Sequence, residues 1–194
     1  MQDVTGIVLA GGQGRRMGGV DKGLQPLEGR AMVAWVIERL APQVETIVVN
    51  ANQNLDAYRA FGYPVVSDAV GGFAGPLAGL HAGLQAARTE RVVTVPCDSP
   101  FLPQDLVARL AAALAAQAAQ LAVAKTGDQP HPVFCLVERA VLPDLEAFLR
   151  AGGRKIDAWY ARLAVVEVSF DDQPEAFSNI NTREELARFA TQAK

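Results

Sequence analysis

Cysteine is scarce in this sequence, and its two copies, Cys97 and Cys135, stand far apart. That separation fits no metal-ligand spacing, and two cysteines make no secreted disulfide framework, so the composition suits a reducing compartment. Long apolar runs are also missing: no segment reaches the roughly 18 consecutive apolar residues of a membrane span. The N-terminal residues carry no basic leader, and the first apolar stretch stops at Ala10, too short for a signal peptide. Basic excess is absent too. A formal net charge of −3 removes any global attraction for nucleic acid or an anionic membrane, which leaves room only for a local basic pocket. The expectation is a cytoplasmic protein that binds neither nucleic acid nor membrane. What remains is ordinary globular composition, 50% hydrophobic and 20% charged. A chain of 194 residues is long enough for one packed domain, and no repeat or linker divides it.

Short apolar runs alternate with helical patterns. Residues 6–10, 46–49, 64–66 and 91–95 are compact and rich in Val and Ile, as buried parallel strands are. Between them, residues 31–40 have helical spacing, with Val33, Val36, Ile37 and Leu40 on one face; residues 55–61 and 77–87 suit two further helices. Residues 103–119 are rich in Ala and Leu, with Pro103 suited to a first turn, and predict a scaffold helix. The second half is less regular. Residues 121–125 and 133–137 are candidate strands flanking a turn region at 127–132, and residues 140–151 predict a helix stopped by Gly152 and Gly153. Residues 163–169 predict another strand, and Thr182 to Glu185 form a capping-box start for a last helix. This alternation predicts an α/β domain with a mostly parallel central sheet.

In open α/β sheets, ligands bind outside the carboxyl ends of the strands. The first strand runs into Gly11 and Gly12, the second ends at Asn50, the third at Ser67 and Asp68, and the fourth runs through Pro96 and Cys97 into Asp98. Asn and Asp also serve as plain turn residues at such positions, so Asn50 or Asp68 alone decides little. Their convergence with a glycine loop favours a site. Within nine residues the loop holds Gly11, Gly12, Gly14, Gly18 and Gly19, interrupted by Arg15 and Arg16 and followed by Lys22. Glycines let successive backbone N–H groups turn around an anion; Arg15 offers a planar fork to phosphate and Lys22 a compact charge. A Walker A loop needs a glycine leading directly into lysine, which is missing, and a dinucleotide fingerprint starting at Gly12 would need glycine where Met17 stands. Asp98, stiffened between Pro96 and Pro100, suits Mg²⁺ shared with substrate phosphates, or alternatively a helix cap. Cys97 reads as a small packed residue, since nothing nearby resembles an activating base.

With these residues in view, the loop resembles the nucleotidyltransferase signature Leu-Ala-Gly-Gly-x-Gly-x-Arg-Met-Gly-x-x-Lys, here from Leu9 to Lys22 with one extra residue in its later part. In detail it is similar to the molybdenum cofactor guanylyltransferases, whose Arg-Arg-Met-Gly-Gly-x-Asp-Lys-Gly-Leu stands here from Arg15 to Leu24. Further matches are Val48 to Asn52, Gly75 to Gly79, Pro96 to Pro100 and Asn179 to Thr182, so the likeness spans most of the chain. The resemblance implies a three-layer, Rossmann-like nucleotidyltransferase fold in one domain, residues 1–194, with nucleotide bound by its N-terminal part and acceptor by its C-terminal part. It implies GMP transfer from GTP to the terminal phosphate of molybdopterin, usually molybdenum-loaded, with Mg²⁺ required and pyrophosphate released. Other molybdenum-cofactor biosynthesis proteins and molybdoenzyme chaperones would be its partners. By similarity, Leu9, Ala10, Gly11, Lys22, Asn50, Asp68 and Asp98 fall on GTP-binding positions, and Asp98 on the metal ligand. Gly12 and Gly14 join them as loop residues. Related cytidylyltransferases tend to have Leu-Ala-Ala-Gly at the position of Leu9 to Gly12, which favours guanine here.

Chemically, the acceptor phosphate is already an anion and needs relief from repulsion more than a strong base. Arg15, Lys22 and metal-bearing Asp98 are therefore the expected catalytic residues, with Asn50 and Asp68 holding base and ribose. For the acceptor the candidates are His131, Arg154, Lys155, Asn179 and Asn181. Each also has a plain role open to it: His131 as a turn residue between prolines, Arg154 and Lys155 as a solvated helix end, the asparagines as turn formers. Rival functions are a sugar-1-phosphate nucleotidyltransferase and a noncatalytic GTP-binding carrier of molybdopterin, which would keep the glycine loop without needing Asp98. An oxidoreductase is disfavoured by the broken dinucleotide fingerprint.

Overall fold

A computed structural model describes residues 3–12, 21–69 and 75–178. In chain order these form strand β1 (Val4–Leu9), a small hairpin of β2 (Pro26–Leu27) and β3 (Arg30–Ala31), helix α1 (Met32–Leu40), β4 (Thr46–Asn50), α2 (Leu55–Arg59), β5 (Val65–Val66), α3 (Pro76–Ala86), β6 (Arg91–Pro96), α4 (Leu106–Ala116), β7 (Leu121–Thr126), β8 (Gln129–Glu138), α5 (Leu142–Arg150), α6 (Ile156–Tyr160) and β9 (Val165–Ser169). Seven strands make one sheet in the order β5-β4-β1-β6-β8-β7-β9. β1 pairs in parallel with β4 and β6, and β4 with β5. β8 runs antiparallel to both β6 and β7, and β9 returns parallel to β7. The sheet is therefore mostly parallel, with β8 reversed.

The strands are apolar on both faces because helices cover both. On β1, Val4 and Val8 join a core with Val33, Val36, Ile37 and Leu40 of α1 and Leu106, Val107, Leu110 and Leu114 of α4. Ile7 points to the opposite core, with Leu77, Leu80 and Leu84 of α3, Leu145 and Leu149 of α5 and Trp159 of α6. The alternation of two residues per pleat sends neighbours to opposite layers. Each fully buried aliphatic side chain contributes at most about 1.5–3 kcal/mol by removal from water. The four α1 residues predicted from helical spacing thus anchor one outer layer. Among the described residues, no helix is long and apolar enough to cross a membrane.

Three local expectations change. The turn region at 127–132 contracts to Gly127 and Asp128, because β8 begins at Gln129 and its prolines sit inside the strand. Where the pairing passes from Val123↔Cys135 to Ala124↔His131, Pro132, Val133 and Phe134 lie opposite no residue of β7. A bulge of this kind accommodates a proline that cannot donate to the ladder. Helix α4 starts at Leu106 rather than Pro103, and the Gln43 side chain accepts the Val107 N–H there at 3.0 Å. The β2–β3 hairpin and α6 had no predicted counterpart; the hairpin turns on Glu28 (φ +50°) and Gly29 (φ +81°), the positive-φ pair that a two-residue turn needs. The last predicted helix, from Thr182, lies outside the described residues.

Candidate active site

The parallel strands bring their carboxyl ends to one rim. The register fixes this: Leu9 lies level with Asn50 on β4 and with Pro96 on β6. Backbone hydrogen bonds carry the alignment past the strand ends, from Ala10 N to Asn50 O (2.7 Å) and from Cys97 N to Leu9 O (3.1 Å). The predicted Leu9, Ala10, Gly11, Asn50, Asp68 and Asp98 therefore assemble on one side of the sheet, as the strand-end argument requires.

Two polar clusters stand on this rim. In the first, the Asp68 carboxylate accepts from two amides, Asn50 Nδ2 at 2.9 Å and Asn52 Nδ2 at 2.8 Å, while the Asp68 N–H donates to Asn52 Oδ1 at 2.9 Å. Asn52 Nδ2 also lies 3.4 Å from Gly11 O, which ties the cluster to the start of the glycine loop. Asn50 is buried, Asp68 half-buried and Asn52 exposed, so the cluster runs from the sheet outward. It fits only because its neighbours lack side chains. A Cβ on Gly11 would approach Asn52 Nδ2 to 2.8 Å, and one on Gly79 of α3 would approach Asn50 Oδ1 to 2.5 Å. Asn52 was quoted in the sequence motif but given no role; the alternate spacing of Asn50 and Asn52 is the signal that would have found it.

In the second cluster, Lys22 Nζ reaches Asp98 Oδ2 at 3.3 Å, with the side chains 21% and 12% exposed. Lys22 follows the glycine loop in sequence and Asp98 comes from the turn after β6, so the pair ties the segment leading into β2 to the end of β6. Cys97 lies beneath. Burial pushes its thiol well above the ordinary range, with Asp98 and Asp21 adding to the effect and Lys22 opposing it. A protonated, buried thiol beside carboxylates is a packing residue and no nucleophile. Asp21 is itself tied down, by Tyr58 Oη at 2.5 Å and Asn54 Nδ2 at 3.0 Å, two residues that sequence reasoning passed over. A tyrosine inside an amphipathic helix carries no signal apart from core packing.

The acceptor candidates fare unevenly. Pairing of Thr94 with Cys135 brings the first residues of reversed β8 to the same rim, so His131 stands there on the β7–β8 hairpin. Its ring stacks on Phe177 (centroids 4.6 Å apart, planes 12° apart), and its Nε2 lies 2.8 Å from Thr126 Oγ1. Burial lowers its pKa, so the ring is equipped to stack and hydrogen-bond more than to neutralise a phosphate. Arg154 turns its guanidinium onto Leu149 O (2.9 Å) and Gly153 O (2.7 Å), capping α5 as a helix-end cation does. Lys155 is exposed at the start of α6. Gly14, Arg15, Asn179 and Asn181 lie outside the described residues.

An open α/β sheet with a glycine loop, an amide–carboxylate pocket and a Lys–Asp pair on its carboxyl rim defines a nucleotide-handling enzyme of the nucleotidyltransferase class. Residues 6–166 match the MobA-like NTP transferase domain, and the chain belongs to that family. A protein of Cupriavidus taiwanensis named molybdenum cofactor guanylyltransferase is 56% identical over 189 residues, covering 95% of this chain and 94% of that one. One of the same name from Ralstonia nicotianae is 53% identical over 197 residues, covering 97% and 96%. The crystal structure of molybdopterin-guanine dinucleotide biosynthesis protein A from Archaeoglobus fulgidus superposes with a TM-score of 0.79 at 26% identity, over 97% of this chain and 98% of that chain. The expected three-layer nucleotidyltransferase fold is met.

Proposed function

We infer that the protein is a molybdenum cofactor guanylyltransferase: it transfers GMP from GTP to the terminal phosphate of molybdopterin, in its molybdenum-loaded form, and releases pyrophosphate. The names of its relatives support the substrates. The observation that carries the chemistry is the Lys22–Asp98 pair at 3.3 Å, on the same rim of the sheet as the Asn50–Asn52–Asp68 cluster.

In this reading an oxygen of the molybdopterin phosphate attacks the α-phosphorus of GTP, the bond to the α–β bridging oxygen breaks, and pyrophosphate leaves with that electron pair. The chain's task is to lower repulsion and hold the line of attack. Backbone N–H groups of Gly11, Gly12 and Gly14 take the triphosphate, and Arg15 and Lys22 face the charge that grows on departing pyrophosphate. The Asp68 carboxylate, steered by Asn50 and Asn52, is suited to accept N–H donors of the nucleoside, and a fixed acceptor of that kind penalises a base without matching donors. Base and ribose thus fall to Asn50, Asn52 and Asp68.

Asp98 suits a divalent cation. It supplies hard oxygen donors at the rim, and among the described residues no group of three His, Cys, Asp or Glu side chains could hold an ion alone. Asp21 is committed to Tyr58 and Asn54. The remaining ligands would then be phosphate oxygens and water, the arrangement that Mg²⁺ prefers. Bound there, Mg²⁺ supplies charge neutralisation across the phosphates. We assign the acceptor to the C-terminal part of a single 1–194 domain, with His131, Lys155, Asn179 and Asn181 as its candidates and Arg154 the weakest of them. Soluble partners in the same biosynthesis, and molybdoenzyme chaperones, would collect the product in the cytoplasm. The test is pyrophosphate release from each nucleoside triphosphate, with and without molybdopterin. Release from GTP that needs molybdopterin supports the enzyme, whereas GTP binding without release would support a carrier.

A further inference from the structure

Lys22 belongs to the segment that follows the glycine loop, yet its surroundings hold it closely. The residue before it, Asp21, has both carboxylate oxygens engaged from the segment after β4: Oδ1 by the Tyr58 hydroxyl at 2.5 Å and Oδ2 by Asn54 Nδ2 at 3.0 Å. The residue after it, Gly23, is buried and pressed on the same tyrosine, for a Cβ there would stand 2.6 Å from Tyr58 Oη and 3.0 Å from Cys97 Sγ. Lys22 O then accepts from Gln25 N at 3.1 Å, closing a turn. The Tyr58 hydroxyl thus bonds the residue before Lys22 and leaves no room for a side chain on the residue after it.

The donors look built for this purpose. Tyr58 is fully buried in the core shared by α1, α4 and the sheet, where phenylalanine would supply the same packing. Its hydroxyl differs in needing a buried partner, and it takes the carboxylate of Asp21. Burial and the nearby Cys97, Asp21 and Asp98 push that hydroxyl far above the ordinary tyrosine range, so it remains a donor at any pH the fold survives. Asn54 has φ +52°, a left-handed conformation that asparagine tolerates better than most residues. It sits at the N-terminus of α2, makes no capping bond with its side chain, and spends that side chain on Asp21.

The geometry points to Tyr58 and Asn54 as positioning residues: they clamp Asp21, and through it they aim Lys22 at Asp98 and at the phosphates of the bound nucleotide. The inference rests on the assignment of Lys22 to phosphate transfer. Because Asn50, Asn52 and Asn54 lie on one short stretch of chain, the same segment that floors the nucleoside pocket also sets the lysine.

The test is a double-mutant cycle on molybdopterin-dependent pyrophosphate release, measured at steady state with GTP varied. Tyr58→Phe lowers kcat roughly 10- to 100-fold, the usual cost of small misplacement at a reacting centre, while KM for GTP stays within about threefold because the nucleoside cluster is untouched. In a Lys22→Ala background Tyr58→Phe costs nothing further, since the group it aims is gone. Asn54→Gly, which keeps the left-handed backbone and removes the amide, gives a smaller loss with the same pattern, and it carries the test if Tyr58→Phe unfolds. An equal loss in both backgrounds would mean that Tyr58 serves the fold and not Lys22; wild-type kcat in both Tyr58→Phe and Asn54→Gly would also overturn the inference. Undiminished turnover of Lys22→Ala would instead remove the assignment of Lys22 itself.

Discussion

Replacing Gly79 by alanine perturbs the proposed nucleoside pocket of Asn50, Asn52 and Asp68 from behind, through helix α3. A Cβ at Gly79 would stand 2.5 Å from Asn50 Oδ1 and 2.6 Å from Leu9 Cδ2. Both contacts are far inside van der Waals distance, so α3 or Asn50 must move. Asn50 is 2% exposed and its amide is bonded to Asp68, so room to yield is small. Alanine gains about 0.8–1 kcal/mol of helix propensity over glycine, while overpacking costs about 1–3 kcal/mol, leaving a net destabilisation of roughly 0–2 kcal/mol. For a chain of this length that lowers Tm by a few degrees, roughly 2–4 °C per kcal/mol. Displacing Asn50 also misplaces Asp68, the acceptor proposed for the nucleoside, and loss of one hydrogen bond from nucleotide to that charged group, about 1.5–3 kcal/mol, lowers GTP affinity roughly 10- to 150-fold. Gly83→Ala separates the two effects. Its Cβ would meet the fully buried Ile7 at 2.7 Å and no polar group of the site, so it costs stability alone. Calorimetric titration with GTP, alongside thermal unfolding, reads both. Equal GTP affinity in the two variants would refute the coupling of α3 to the pocket.

Asp68→Ala and Asn52→Ala should each raise KM for GTP, the first by roughly 10-fold or more because it removes the acceptor itself, and a steady-state comparison of GTP with other nucleoside triphosphates should show discrimination falling too. Both cysteines are buried with raised pKa, so neither should react with a thiol reagent near pH 8 in the native protein, and both should react in denaturant; rapid native labelling would contradict their placement. His131 has its pKa lowered by burial from the ordinary 6.5, so the unfolded chain takes up its proton first. Stability from this corner is whole above that value and is lost as pH falls from there through the lower folded pKa. Urea unfolding between pH 7 and 5 should show the decline, and His131→Gln should flatten it. Asp144, held low by Arg162 and by the Trp159 N–H, works in a lower window: its contribution is present above the ordinary 3.8 and disappears in stronger acid, and Asp144→Asn should remove that acid-limb dependence.

Much of the candidate site's placement was legible because it lies at strand ends. A short continuous apolar run marks a strand buried on both faces, and the polar residues at its carboxyl end mark the rim, so the placement of Asn50, Asp68 and Asp98 there follows from position alone. The α1 face of Val33, Val36, Ile37 and Leu40 was equally plain, since helical spacing repeats within a short window. What stayed hidden depends on contacts between distant segments. Tyr58 joins residue 21 across 37 positions, and its hydroxyl is indistinguishable in sequence from a core aromatic. Nearer in sequence, Arg154 read equally as an acceptor cation or a helix end, and its guanidinium folds back onto the carbonyls ending α5. Pro130 and Pro132 looked like turn formers because proline usually stops pairing; the bulge in β8 absorbs Pro132 and leaves the strand running.

The central claim is that Asp98 and Lys22 carry guanylyl transfer at the rim of this sheet. The most direct measurement is pyrophosphate released from GTP in the presence of molybdopterin, compared between the wild-type protein and Asp98→Ala, with Mg²⁺ and after its removal by chelation. The account predicts release that requires both molybdopterin and Mg²⁺, falls sharply with ATP or CTP in place of GTP, and is lost by at least roughly 100-fold in Asp98→Ala while GTP still binds. Full transfer by Asp98→Ala, or wild-type turnover after chelation, would contradict it.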